Sequence, residues 1–457
     1  MLAAAVAPAA AATPPPRPPL LGQSGTFAYV TNGLNGTVSV VDTEASQPSI
    51  VATIDLGDPN AAPNGVAVNT TSEHGTRVYV ANVLADTMSL AVPGGVASVD
   101  IGDGEGPISV ATSLDGELAY VTNSNSNGMS VVDVPTLSVG ATVVVGHHPQ
   151  EVAVTPDGDH AYIAIDESLV SGNVAVVDLR QNPPSLTTTI PVGVFPQGVA
   201  ISPDGGRAYV TNFVDGTVSV IDTASNTVVA TVTIGSLTSP VDVAVSPDGR
   251  RAYVVNFGAR SVSVIDTTTN PPSVIATVPV GEEPKGAAVT PDGSQVYVTN
   301  SQDNTVSVID TASNTVTHTI EGFDDPLGVA IGTTTTIGDA PTRMTLQVER
   351  QKGGAKGKDS SDTRRPSFTL KARLTENGES LEDRDVVFST GSKALCIKST
   401  DGRGRSTCTV RGGHEDRAGG DRTCFTATFG GDATYAAVTK TVCPGRRKER
   451  REPQGHS

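Results

Sequence analysis

The chain has no tryptophan, few cations in its first three quarters and no long apolar run. Residues 1–341 hold 8 Lys/Arg against 33 Asp/Glu, a balance of −25; residues 342–457 hold 23 against 15, a balance of +8. A surface that acidic repels phosphate backbones and anionic bilayers, so nucleic acid and membrane surfaces are set aside as partners of the first part. The carboxylates themselves serve as a solubilising coat on turn-rich structure. No stretch reaches the roughly 20 apolar residues of a membrane-spanning helix. Cysteine occurs at four positions only, Cys396, Cys408, Cys424 and Cys443, and none belongs to a Cys-x-x-Cys-His haem attachment site. A nucleophile elbow, a phosphate loop and a metalloprotease helix are missing too. No cofactor is therefore expected.

What the chain has is a repeat. Pro196–Gly235 holds four short runs, GVAIS, AYVTN, TVSVID and VVATVTIG. Each is rich in Val, Ile, Tyr and Thr and bounded by turn residues, the mark of a strand. Ser202-Pro203-Asp204-Gly205 makes the first break. Proline presets φ for the turn and glycine closes it. The breaks at Asn212–Gly216 and Asp222–Asn226 are also hairpin-length. The unit is a meander of strands A, B, C and D. Its runs are apolar on both faces, so neighbouring units must cover them. Radially packed four-stranded units of about 40–50 residues are the blades of a β-propeller.

The tyrosine of strand B counts the blades: Tyr29, Tyr79, Tyr120, Tyr162, Tyr209, Tyr253 and Tyr297, here blades 1 to 7. The array begins with a B strand (Phe27–Asn32) and ends with an A strand (Leu327–Ile331). Pairing these two closes the ring and removes an exposed edge. The fold class is all-β, a seven-bladed propeller over residues 25–332 followed by a smaller β-sandwich.

Tyr-Val-Thr-Asn recurs at 29–32, 120–123, 209–212 and 297–300, with Ser-Pro-Asp-Gly and Val-Ser-Val-Ile-Asp at fixed offsets. On these words the chain resembles the YVTN-repeat propellers of the surface-layer and YncE-like group. The resemblance implies a secreted or cell-surface propeller, usually without an assigned reaction. Blade 4 departs from it, with Tyr162-Ile163-Ala164-Ile165. The absence of tryptophan argues against WD40 blades and quinone-dependent dehydrogenase propellers.

Residues 1–24 form an alanine- and proline-rich leader like the apolar core of a secretory signal without its basic start. Residues 333–341 read as a linker. Residues 342–444 contain seven short strand-like runs, as in a β-sandwich. The segments Leu374–Gly378, Val386–Phe388 and Thr426–Tyr435 resemble bacterial Ig-like domains, which implies a spacer or adhesive unit. Gln351–Arg365 is a charged loop, and the basic tail 445–457 reads as a solvated terminus. Cys396 and Cys408 flank one hairpin turn and Cys424 and Cys443 the next. Adjacent strands then predict disulfides 396–408 and 424–443, each worth on the order of 3 kcal/mol. Zinc is the rival, without Cys-x-x-Cys or a histidine at ligand spacing. Disulfides imply an oxidising, extracytoplasmic location.

The repeats also act as an internal alignment. A–B and C–D turns fall on one edge of the disc and are monotonous. B–C and D–A loops fall on the other and differ at every blade, so that edge is the candidate binding face. Its D–A loops include His147-His148-Pro149, Val194-Phe195-Pro196 and Glu282-Glu283-Pro284, the last followed by Lys285. Blade 4 adds a long B–C loop with Asp166 and Glu167. His147, His148, Asp166 and Glu167 read either as an acid/base or divalent-metal set or as an ordinary polar loop. Phe195, Glu282, Glu283 and Lys285 complete the ligand-binding candidates. No catalytic constellation is evident. The expectation is a monomeric, non-enzymatic binding protein for a protein or cell-wall polysaccharide ligand. The alternative is an extracytoplasmic hydrolase or lyase, lactonase-like, using the same varied face.

Overall fold

The computed structural model describes residues 24–71, 75–93, 95–168, 170–334, 342–351, 367–376, 379–381, 383–390, 393–411, 425–429 and 438–442. The leader, the linker beyond residue 334, the charged loop 352–366, the basic tail, Cys424 and Cys443 lie outside the described residues, and with them the 424–443 pairing.

Residues 24–334 form seven four-stranded antiparallel sheets. Six are consecutive meanders; the seventh joins the last A strand, Pro326–Thr334, to Gly25–Asn32, with Tyr29 opposite Ala330. The expected closure of the ring is therefore present. The A strands line the central channel and the D strands form the rim of the disc.

Each letter of the Tyr-Val-Thr-Asn word has a separate task. Tyr29, Tyr79, Tyr209, Tyr253 and Tyr297 are buried between blades, as is Tyr162, whose hydroxyl donates to Asn226 Oδ1 of blade 5 at 2.6 Å. Tyr79 reaches Gly116 O of blade 3 in the same way, at 2.9 Å. The threonine ties A strands together. Thr31 Oγ1 donates to Asn64 O of the next blade at 2.8 Å and accepts from Gly328 N of its own blade at 2.8 Å. The asparagine closes the B–C hairpin: Asn212 Nδ2 donates to Thr217 Oγ1 at 2.9 Å and Ser219 Oγ at 3.0 Å. Blade 4 has Ala164 and Ile165 in the last two places, so its B–C hairpin is released from this pattern and extends to Ser168 and Ser171.

The C-terminal part is the expected two-sheet sandwich. One sheet holds Thr342–Gln351, Ser367–Glu376, Glu379–Ser380 and Arg405–Arg411. The other holds Lys393–Ser399, Asp385–Thr390, Phe425–Phe429 and Val438–Val442. Leu370, Leu374, Val386 and Phe388 fill the space between them. Cys396 and Cys408 form a disulfide, with Cα atoms 6.5 Å apart. Their strands are not hairpin neighbours as the spacing predicts. The chain crosses between sheets at Thr400–Gly404, so the bond staples the two layers together.

Candidate active site in the propeller channel

The second residue after each A-strand proline decides what the channel can do. It is Gly65, Gly198, Gly286 or Gly328 in four blades and Ser109, Glu151 or Asp242 in the other three. The glycines follow from crowding, because the A strands converge. A Cβ on Gly65 would lie 2.7 Å from Ser109 Cα, and one on Gly198 would lie 2.7 Å from Asp242 Cα. Gly198 thus leaves a gap through which Glu151 of blade 4 reaches Asp242 of blade 6.

The two carboxyl groups hydrogen-bond each other. Glu151 Oε2 also accepts from Val199 N at 2.9 Å. Asp242 Oδ2 accepts from Ala287 N at 2.7 Å and Oδ1 from its own amide neighbour, Val243 N, at 2.7 Å. Burial among the A strands pushes Glu151 well above the usual carboxyl range, and the charge of Asp242 pushes it further. Burial also raises Asp242, opposed by its two backbone N–H donors. Two carboxylates in one buried site cannot both ionise at little cost, so the pair favours holding one proton between them. Blades 2, 4 and 6 lack the interblade threonine, carrying Ala81, Ala164 and Val255 in its place.

The pair opens into a cavity of about 310 Å³ that is also lined by Asn64, Ser109, Gln150, Gln197 and Lys285. Lys285 is the only lysine of residues 1–341. Its ammonium lies 4.4 Å from the centre of the Phe257 ring, a cation–π contact. Phe257 neighbours Phe213 at 6.3 Å between ring centres, and Phe213 neighbours Phe195 at 5.8 Å. All three rings are half-buried on the B–C/D–A edge.

Of the residues expected from sequence, Lys285 lines the channel. The others stand on the B–C/D–A edge. The rings of His147 and His148 lie 4.4 Å apart, and His147 Nδ1 meets the backbone carbonyl of Asp166, not its carboxylate, at 3.3 Å. Asp166 is raised by burial and drawn back by the two imidazoles. Glu167 is exposed. Among the described residues no three His, Cys, Asp or Glu side chains gather as a metal site. Glu282 is ion-paired with Arg260. Glu283 lies beside Asp325, whose carboxyl is raised mainly by burial and drawn down by Lys285.

The residue before every A-strand proline has a left-handed backbone: Ala62, Gly106, His148, Phe195, Ser239, Glu283 and Asp325, with φ between 47° and 61°. This conformation favours glycine, and holding other residues there costs on the order of 1 kcal/mol or more each. The varied edge therefore presents different side chains from one common, strained turn.

The family model described as "Lactonase, 7-bladed beta-propeller" matches residues 187–330, a span that contains Asp242 and Lys285 but not Glu151. No curated protein matches the sequence. Among solved structures, the Pseudomonas aeruginosa periplasmic gluconolactonase is similar at 19% identity and a TM-score of 0.56, covering 68% of this chain and 100% of its own. A Bacteroides uniformis protein described as a 6-phosphogluconolactonase is similar at 18% identity and a TM-score of 0.56, again covering 68% and 100%. Kuenenia stuttgartiensis hydrazine synthase is similar at 20% identity and a TM-score of 0.54, covering 62% and 92%. At these identities the structures support the fold.

The chain is similar to lactonase propellers. The lactonase match corrects the expectation of a binding protein without a reaction, and with it the expectation that the chain is not an enzyme. The reason that expectation failed is physical. The B–C and D–A loops vary most and draw attention, whereas the carboxyl pair sits one layer deeper, on the A strands.

Proposed function

We propose that the protein is an extracytoplasmic hydrolase that opens a lactone ring in the mouth of the channel. The observation that carries this reading is the Glu151–Asp242 pair, two carboxyl groups set side by side in a cavity lined by one ammonium group. Asp242 takes a proton from water as the water oxygen bonds to the lactone carbonyl carbon. The Lys285 ammonium faces the negative charge that develops on the carbonyl oxygen. The ring C–O bond then breaks as Glu151 gives its proton to the departing oxygen, leaving a hydroxy acid. The lactonase match over residues 187–330 supports the same chemistry. The Cys396–Cys408 disulfide supports an oxidising compartment. The Tyr-Val-Thr-Asn words support a relation to YVTN-repeat propellers, with the sandwich as an Ig-like spacer.

The test is lactone hydrolysis followed by proton release, corrected for the uncatalysed reaction. Glu151→Gln keeps an oxygen acceptor for Val199 N, Asp242→Asn keeps one for either Val243 N or Ala287 N, and both remove the ionisable carboxyl group. Each is expected to lower kcat about 10²–10⁴-fold with the fold intact. Full activity in both variants would overturn the assignment.

A further inference from the structure

We infer that the channel selects an uncharged lactone ring over a phosphorylated one. This inference rests on the hydrolytic reading and names its substrate class. The described loops of the mouth edge carry Asp86, Glu105, Asp215, Glu283, Asp303 and Asp325 among their carboxylates. Against them stand two cations, Arg260 and Lys285. Arg260 is ion-paired with Glu282. Lys285 lies over Phe257 and in the field of Asp325. Below them the carboxyl pair adds one negative charge when it holds a single proton.

Phosphate is bound by arginine forks, helix N-termini or clusters of lysine. None of these is at the mouth among the described residues. The propeller's other arginines, Arg77, Arg180, Arg207, Arg250 and Arg251, lie at the A–B and C–D turns on the opposite edge. A dianionic group entering the mouth therefore meets an edge with a surplus of carboxylates, whose field reaches over about one Debye length, roughly 8 Å at physiological salt. A neutral ring meets a different surface. The half-buried Phe195, Phe213 and Phe257 offer apolar faces for the C–H side of a sugar ring. Asn64, Gln150 and Gln197 offer uncharged partners for hydroxyl groups. A cavity of about 310 Å³ lies at the small end of ligand sites and suits a single ring.

The experiment pairs D-glucono-1,5-lactone with its 6-phosphate as substrates. The corresponding lactams, in which a ring N–H replaces the ring oxygen, serve as non-hydrolysed ligands measured by calorimetry. The expected result is a kcat/KM at least tenfold higher for the neutral lactone and a matching preference for the neutral lactam. Raising the salt concentration should narrow both ratios. Glu283→Lys/Asp325→Lys should raise kcat/KM for the phosphorylated lactone several-fold relative to that for the neutral lactone. Preference for the phosphorylated lactone or lactam, or ratios near one, would overturn the charge selection while leaving hydrolysis standing. Neutral-lactam binding without turnover of either lactone would overturn the hydrolytic reading and keep the charge selection. Binding of neither lactam would overturn both.

Discussion

Arg77 of blade 2 and Asp385 of the sandwich form a buried ion pair, with Nη2 2.6 Å and Nε 2.9 Å from Oδ2. Arg77 is 2% exposed. Burial works against its charge, but Asp385, with smaller help from Tyr79 and Glu117, more than offsets this and raises its pKa. Around the pair, Val387 and Ile397 of the sandwich pack with Val99 and Ile101 of the propeller. Arg77→Ala leaves Asp385 buried with Ser399 as a remaining donor. We expect a loss of about 3–5 kcal/mol in the unfolding of the full chain, since removing one partner of a buried ion pair costs more than the pair contributes. Arg77→Met/Asp385→Leu should recover most of it. A loss below about 1 kcal/mol in the single variant would show that the pair does not clamp the sandwich to the propeller.

Glu151 also makes stability depend on pH. Its carboxyl is raised in the folded chain, first by burial and then by Asp242. An unfolded glutamate releases its proton near pH 4.3. Above that pH the folded state binds more protons than the unfolded state, so stability falls with rising pH until Glu151 itself ionises. The contribution is intact below the unfolded value and lost through the folded one. Glu151→Gln cannot titrate. The stability difference between Glu151→Gln and the parent should therefore grow from about pH 4 upward, in favour of the variant, and then level off. A constant difference across this range, measured by denaturant unfolding, would show that Glu151 does not hold the proton.

The architecture was legible because its signals are local. One tyrosine per blade, Pro-Asp-Gly turns and β-branched runs recur at a spacing that only a closed ring of meanders satisfies, and the strand that closes it is visible in the phase of the repeat. Part of the site was equally open to reading. Gly65, Gly198, Gly286 and Gly328 align with Glu151 and Asp242 once the prolines are superposed. The sequence draws the eye instead to His147, His148, Asp166 and Glu167, because a doubled histidine and a long loop are the larger departures from the repeat. What linear order cannot show is depth. His148 and Glu151 are three positions apart, yet one stands on the B–C/D–A edge and the other inside the channel. Nor does sequence reveal the left-handed turn before each proline, since six of its seven residues are not glycine. The Arg77–Asp385 contact has no local signature at all, because its partners come from separate domains.

Gly198 separates the two carboxylates' blades, and its substitution tests whether that gap creates the site. No left-handed torsion is at stake there; crowding alone forbids a side chain. The Cβ of Gly198→Ala would lie 2.7 Å from Asp242 Cα and 2.8 Å from Val241 O, and backbone atoms at that distance must move. It would also lie 3.1 Å from Glu151 Oε2, against the hydrogen bond to Val199 N. Overpacking of this kind costs about 1–3 kcal/mol. The displaced strand is the one that carries Asp242, so lactone hydrolysis should fall by tenfold or more at temperatures where the variant is fully folded. Gly140→Ala is the matched control. Its Cβ would meet Val131 O at 3.7 Å, ordinary van der Waals contact, on a D strand far from the channel. That variant should stay within about 0.5 kcal/mol of the parent and keep its activity. If Gly198→Ala behaved like Gly140→Ala in both measurements, the close approach of the A strands would not be what holds Glu151 against Asp242.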